Sequence, residues 1–168
     1  MNTTKKNKNV IIKDVLKSGN DIYRIQEWKN EQGTAYRDLR VFFKKDGKFK
    51  KTQEGLNILV PLCLEVATAI VTAKNAPELP EPAEGKKFES RLIVVITITE
   101  TEQYQIFKVR GPKNGAVRIG YFFKGDNEQY FPNTKKAMSI LDLAVDGVAE
   151  ALCTPAPAVT EATETAAA

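Results

Sequence analysis

The chain contains no histidine, and so lacks the side chain that most often serves as general base or metal ligand near neutral pH. It has no glycine-rich loop ending in Gly-Lys-Ser or Gly-Lys-Thr, and no CxxC, HExxH or GxSxG string. Gly85-Lys86 follows a Pro/Glu-rich stretch rather than a strand, so it is not a phosphate cradle. Cysteine occurs only at Cys63 and Cys153, too few for a disulfide framework and without metal-ligand spacing. Both fall in segments that read as helix and are expected to be small buried hydrophobes. No apolar run is long enough to cross a bilayer, and the opening MNTTKKNKN lacks the apolar core of a signal peptide. The carboxylate pairs Asp126/Glu128 and Glu100/Glu102 sit in a turn and at a strand end, and read as solvated charge. These absences point to a protein that is not an enzyme, with no cofactor, no metal and no membrane partner, in a reducing, cytoplasm-like compartment.

What is present is positive charge, unevenly placed. Residues 1–75 carry 15 Lys and Arg against 8 acids, whereas residues 76–150 carry 10 against 11. A field that attracts polyanions therefore belongs to the first half. It is densest in the segment beginning YRDLRVFFKKDGKFKK. There Arg37, Arg40, Lys44, Lys45, Lys48, Lys50 and Lys51 outnumber Asp38 and Asp46, with Tyr36, Phe42, Phe43 and Phe49 threaded between them. Cations neutralise phosphates and flat rings accept stacked bases, the combination that holds single-stranded nucleic acid. In a strand over 37–45, Arg37, Leu39, Val41 and Phe43 share one face and Asp38, Arg40, Phe42 and Lys44 the other. One Phe of the pair is expected in the core and the other at least partly exposed. Trp28, the only Trp, is followed by Lys29 and an Asn-Glu-Gln-Gly loop, which favours a rim position over burial.

Organisation along the chain follows composition. Residues 1–9 and 153–168 are expected to be disordered, and 76–87, with three prolines, to be a linker. Between them lie two segments of one plan, 10–75 and 88–152. The first reads as strands at 9–16, 22–29, 36–44 and 48–52 and a helix over 59–74. The second reads as strands at 89–101, 104–110, 116–124 and 128–131 and a helix over 134–152 capped by Thr134, with Met138, Leu141, Val145, Val148 and Leu152 on its stripe. The alternating apolar run 91–100 reads as a core strand. FFKKDGKFKKTQEGLNIL (42–59) parallels FFKGDNEQYFPNTKKAMSIL (122–141): a double Phe, a Lys–Asp turn, and Ile-Leu at the start of a helix. The fold class is α+β, two strand-strand-strand-strand-helix repeats whose curved antiparallel sheets pack as an internal pseudo-dimer.

The strings IYRIQEWKN (22–30), RDLRVFF (37–43), a Lys-Asp-Gly turn and EGLNI (54–58) together resemble the single-stranded-DNA-binding domain of the transcriptional coactivator positive cofactor four. The two-repeat plan is similar to that of Whirly and purine-rich-element-binding proteins. The resemblance implies that Trp28 and Phe43 stack on bases while Lys29 and Arg40 hold the backbone. The Lys that precedes the family's Gly is Glu54 here, which leaves that phosphate contact to Lys50 or Lys51. In the second repeat the counterparts are Phe107-Lys108, Arg118, Phe122, Phe123, Tyr130 and Lys135-Lys136, with weaker contributions expected from Lys108, Arg110 and Arg118. The expected partner is single-stranded DNA, in replication, recombination or transcription in a bacterial or phage-infected cell. A homo-oligomer or an internal pseudo-dimer is expected. RNA is an alternative ligand; a second alternative is an assembly module that uses the double-Phe strand as a sheet edge.

Overall fold

Two four-stranded antiparallel sheets, each followed by a helix, make up the α+β fold in the computed structural model, which describes residues 8–158. Sheet 1 runs in the order β1 (Val10–Ser18), β2 (Asp21–Lys29), β3 (Ala35–Lys45), β4 (Lys48–Leu59), and leads to α1 (Cys63–Asn75). Sheet 2 repeats the order with β5 (Glu89–Thr99), β6 (Glu102–Arg110), β7 (Gly115–Lys124), β8 (Tyr130–Leu141), and leads to α2 (Val145–Cys153). The stretches expected to be disordered, 1–9 and 153–168, fall outside the described residues except for 8–9 and 153–158. No helix among the described residues is long and apolar enough to cross a membrane.

Period-two patterning builds both sheets. In β2 and β3, Tyr23, Ile25, Leu39 and Val41 face inward and are buried; in β6 and β7 the same places hold the buried Tyr104, Ile106 and Ile119 and the partly buried Tyr121. These side chains join Val66, Ile70 and Ala73 of α1 and Val145, Val148 and Leu152 of α2 in one hydrophobic cluster. Each large aliphatic so buried contributes about 1.5–3 kcal/mol. The β3–β4 turn is two residues, Asp46 and Gly47, both at positive φ (52° and 74°), the geometry that matches the twist of the flanking strands.

Strand β4 meets β8 where the sheets come together. There the Tyr23 hydroxyl donates to Ser139 O (3.1 Å) and accepts from Leu141 N–H (3.0 Å). Tyr104 does the same for β4, donating to Asn57 O (3.0 Å) and accepting from Leu59 N–H (3.4 Å). Each phenol thereby satisfies backbone groups on the edge strand of the other sheet. Burial of these hydroxyls pushes both phenols up to about 12.

Several expectations change. The 134–141 segment is strand, not helix: Met138 and Ile140 are buried two residues apart on β8, and α2 starts only at Val145. The apparent helical stripe arose because Met138 and Leu141 lie three residues apart as well as continuing a strand. Thr134 caps nothing; Asn133 Oδ1 instead accepts the Lys135 N–H (3.1 Å). Strand β4 likewise runs on to Leu59, and Val60-Pro61-Leu62 form a 3₁₀ turn before α1. Cys63 is buried, its thiol pushed up to about 12 by desolvation, but Cys153 is exposed at the end of α2. The double-Phe segment Phe42-Phe43 lies in β3, hydrogen-bonded to β2 and β4, so it is not a sheet edge. Strand β5 is an edge, which leaves Leu92 and Val95 46% and 45% exposed and buries only Ile96 fully.

Candidate nucleic-acid interface

The face of sheet 1 turned away from the core collects Arg24, Gln26 and Trp28 from β2, Tyr36, Asp38, Arg40 and Phe42 from β3, and Asn57 from β4. At one end Trp28 and Tyr36 stack, with centroids 4.9 Å apart and planes 18° from parallel. Trp28 Nε1 donates to Asn57 Oδ1 (2.9 Å), which fixes the indole's tilt. Trp28 is half-buried on this face, and not part of the core. In the middle Gln26 Nε2 donates to Asp38 Oδ2 (3.1 Å). A hollow of about 400 Å³ lies over Gln26, Trp28, Asp38, Arg40, Lys51 and Asn57.

Towards the β3–β4 turn the hairpin outruns the core and becomes an arm. Its outer face carries Phe42, Lys44, Phe49 and Lys51; the opposite face carries Phe43, Lys45, Lys48 and Lys50. Arg24 lies over both Phe42 (4.8 Å to the centroid) and Phe49 (5.2 Å). Asp14 holds that guanidinium through paired hydrogen bonds of 2.7 and 2.8 Å, which raise its pKa. Lys44 reaches the Phe49 ring at 6.0 Å. The five arm lysines, Lys44, Lys45, Lys48, Lys50 and Lys51, are all exposed. Among the described residues none of them has a carboxylate partner, whereas Lys13, Lys17, Lys74, Lys86 and Lys124 each do.

Four of the cations predicted to contact a ligand are engaged within the protein. Arg37 is buried, pairs with Glu27 (2.9 Å), and donates to the carbonyls of Ala151, Leu152 and Thr154. It therefore caps the C-terminal end of α2, where a cation and its donors complement the unpaired carbonyls. Lys108 is 1% exposed and does the same for α1, donating to Lys74 O (2.8 Å) and Ala76 O (2.6 Å) beside Glu78. Arg40 spends its donors on Asp38 and on the carbonyls of Thr52 and Gln53. Those carbonyls lie where the β4 register shifts, and a Cβ on neighbouring Gly55 would meet Leu39 O at 2.7 Å. Arg110 is half-buried and faces Glu81 at 3.8 Å. Phe43, 36% exposed, is on the core-side face of the arm, opposite to Trp28. Lys29 is exposed at the end of β2. Arg118 is exposed on the outer face of sheet 2, and lines a groove of about 610 Å³ between β4 and β8 with Arg40, Glu54 and Lys135.

Sequence reasoning missed Arg24, Gln26 and Asn57. The period-two spacing Arg24, Gln26, Trp28 carries the signal for the first two, since alternate strand residues share a face. Asn57 was obscured by reading 54–58 as a lead into the helix. No protein-family model matches the chain, and no curated protein matches it.

Proposed function

We propose that the chain binds single-stranded DNA in preference to duplex, with little sequence preference along most of the bound strand. The observation that carries this reading is the arm: five exposed lysines, without a carboxylate partner among the described residues, beside rings and next to a stacked Trp28–Tyr36 platform. Bases stack on such rings whatever their identity, at roughly 1–3 kcal/mol each, while lysines follow the phosphates. The chemistry is binding and presentation of the strand, without catalysis, as replication, recombination or transcription requires. The likeness of residues 22–70 to the positive-cofactor-four domain, and of the two-repeat plan to Whirly and purine-rich-element-binding proteins, supports the same reading.

The two repeats are read as an internal pseudo-dimer of curved sheets. Support comes from the reciprocal phenols Tyr23 and Tyr104 and from the reciprocal helix caps Arg37 and Lys108. The deciding experiment is competition between single-stranded DNA, duplex DNA and RNA of equal length at two salt concentrations. Single-stranded DNA should win, with affinity falling as salt rises. Preference for duplex, or affinity indifferent to salt, would remove the proposal; RNA winning would transfer the same surface to RNA.

A further inference from the structure

Beside the Trp28–Tyr36 stack, where β4 meets the end of sheet 2, a hollow of about 300 Å³ opens among Trp28, Tyr36, Asn57, Glu102, Tyr121 and Lys136. Three of these residues come from each repeat. Glu102, read from sequence as solvated charge, is half-buried here. One of its oxygens accepts from the Tyr121 hydroxyl and the other from the Thr99 hydroxyl (3.3 Å), so the carboxylate is held in place. Tyr121 packs edge-on to Tyr104, with centroids 6.4 Å apart and planes at 66°. Lys136 Nζ sits over the Tyr121 ring at 4.8 Å and has no carboxylate partner among the described residues. Asn57 gives its oxygen to Trp28, which leaves its amide nitrogen as a donor.

We propose that this pocket receives one base of the bound strand and that Glu102 selects guanine there. The inference rests on the single-strand-binding reading and adds one selective position to it. A rigid aromatic wall beside an oriented hydrogen-bonding group is how an unstacked base is held and read on its Watson–Crick edge. An ionised carboxylate can only accept. Guanine alone offers it two adjacent donors, N1–H and the 2-amino group. Adenine and cytosine offer one amino group beside an acceptor nitrogen, and thymine a single N–H flanked by two carbonyl oxygens that repel the carboxylate. Lys136 supplies charge for the phosphate of the same nucleotide. That lysine also argues against an ammonium guest in the aromatic hollow, which would meet a like charge. The corresponding place across the seam has Val109 and Ala116 where this one has Trp28 and Tyr36, so the molecule has one such pocket among the described residues.

The test compares an oligothymidine of about 12 nucleotides with the same oligonucleotide carrying one central guanine, or inosine in its place. Wild-type protein should prefer the guanine form roughly tenfold, the discrimination a bidentate pair supports. Inosine, lacking the 2-amino group, should fall between the two. Glu102→Gln should collapse the guanine-to-thymine ratio, because an amide keeps one acceptor oxygen and sets a donor where the second oxygen met one of guanine's two donors. Equal affinity of wild-type protein for guanine and thymine forms, inosine equal to guanine, or a preference that survives Glu102→Gln would overturn the proposal while leaving single-strand binding intact. Binding of none of the three would overturn both. The inosine comparison needs no variant, so a misfolded Glu102→Gln does not blunt the test.

Discussion

The two sheets share an interior and differ in what they show to solvent. Inside, the places of Tyr23, Ile25, Leu39 and Ile58 are filled by Tyr104, Ile106, Ile119 and Ile140, all buried. Outside, the stacked pair Trp28–Tyr36 corresponds to Val109 and Ala116, Gln26 to Phe107, Asp38 to Arg118 and Asn57 to Ser139. This register pairs Trp28 with Val109, two residues beyond the counterpart Phe107 expected from sequence. Where sheet 1 has an arm of unpartnered lysines, the β7–β8 hairpin pairs Lys124 with Glu128 (2.9 Å) and packs Phe123 against Phe131 (6.3 Å between centroids). Each inner face is covered by the helix of the other repeat, α1 on sheet 2 and α2 on sheet 1, so its chemistry is constrained on both sides. The outer faces have no such duty, and among the described residues only that of sheet 1 has a parallel-stacked pair of rings beside a lysine-rich arm.

The sharpest break between scaffold and surface is at the helix caps. Arg37→Ala and Lys108→Ala should each cost about 3–5 kcal/mol of stability in chemical denaturation. Each removes a buried cation and strands the carbonyls or carboxylate it served. Protein of the Arg37→Ala variant that remains folded should bind oligothymidine as wild type does. A large loss of affinity without loss of stability would put Arg37 back in the interface.

Replacing Lys44, Lys48, Lys50 and Lys51 together by Ala should flatten the log–log salt dependence of binding by as much as ~2.8, about 0.7 for each phosphate no longer neutralised. On the other sheet Arg118→Ala should change the slope by no more than about 0.7. Comparable slopes for the two variants would mean that the second face shares the work equally. At the aromatic position, Trp28→Ala should weaken binding by roughly 1–3 kcal/mol, measured by anisotropy. Its counterpart Val109→Ala should leave affinity unchanged.

Alkaline pH probes the seam common to both halves. The phenols of Tyr23 and Tyr104 titrate near 12 in the folded protein, above the ordinary 10. The neutral phenol is therefore favoured by folding. Its contribution is fully present below pH 10 and is lost as pH rises through 12, on the order of 2 kcal/mol per phenol. Thermal melts should fall across that window, and Tyr23→Phe should lessen the fall. A flat profile between pH 10 and 12 would mean that the hydroxyls are not held as described.

Repetition and strand alternation were readable in the chain because inward residues recur at period two wherever a core covers them. The boundary between strand and helix at 134–145 was not, since Met138 and Leu141 fit the helical spacing while Met138 and Ile140 fit the strand spacing, and only the pairing with β7 decides between them. The stacked ring at Trp28 and the lysine-rich arm were visible as composition. The fates of Arg37 and Lys108 were not, because their partners are carbonyls more than 100 and about 30 residues away on the other repeat. Burial of a cation against backbone leaves no mark in local sequence. Leu92 and Val95 misled in the opposite sense: an apolar run reads as core, but β5 is an edge strand and these two side chains are exposed on its outer face.

Emission from Trp28, the chain's only tryptophan, reports directly on whether a strand occupies the outer face of the first sheet. Titrating wild-type protein with oligothymidine should quench that emission to saturation, and added salt should restore it as the strand leaves. Oligothymidine that binds while Trp28 emission stays constant would place the strand elsewhere and contradict the account.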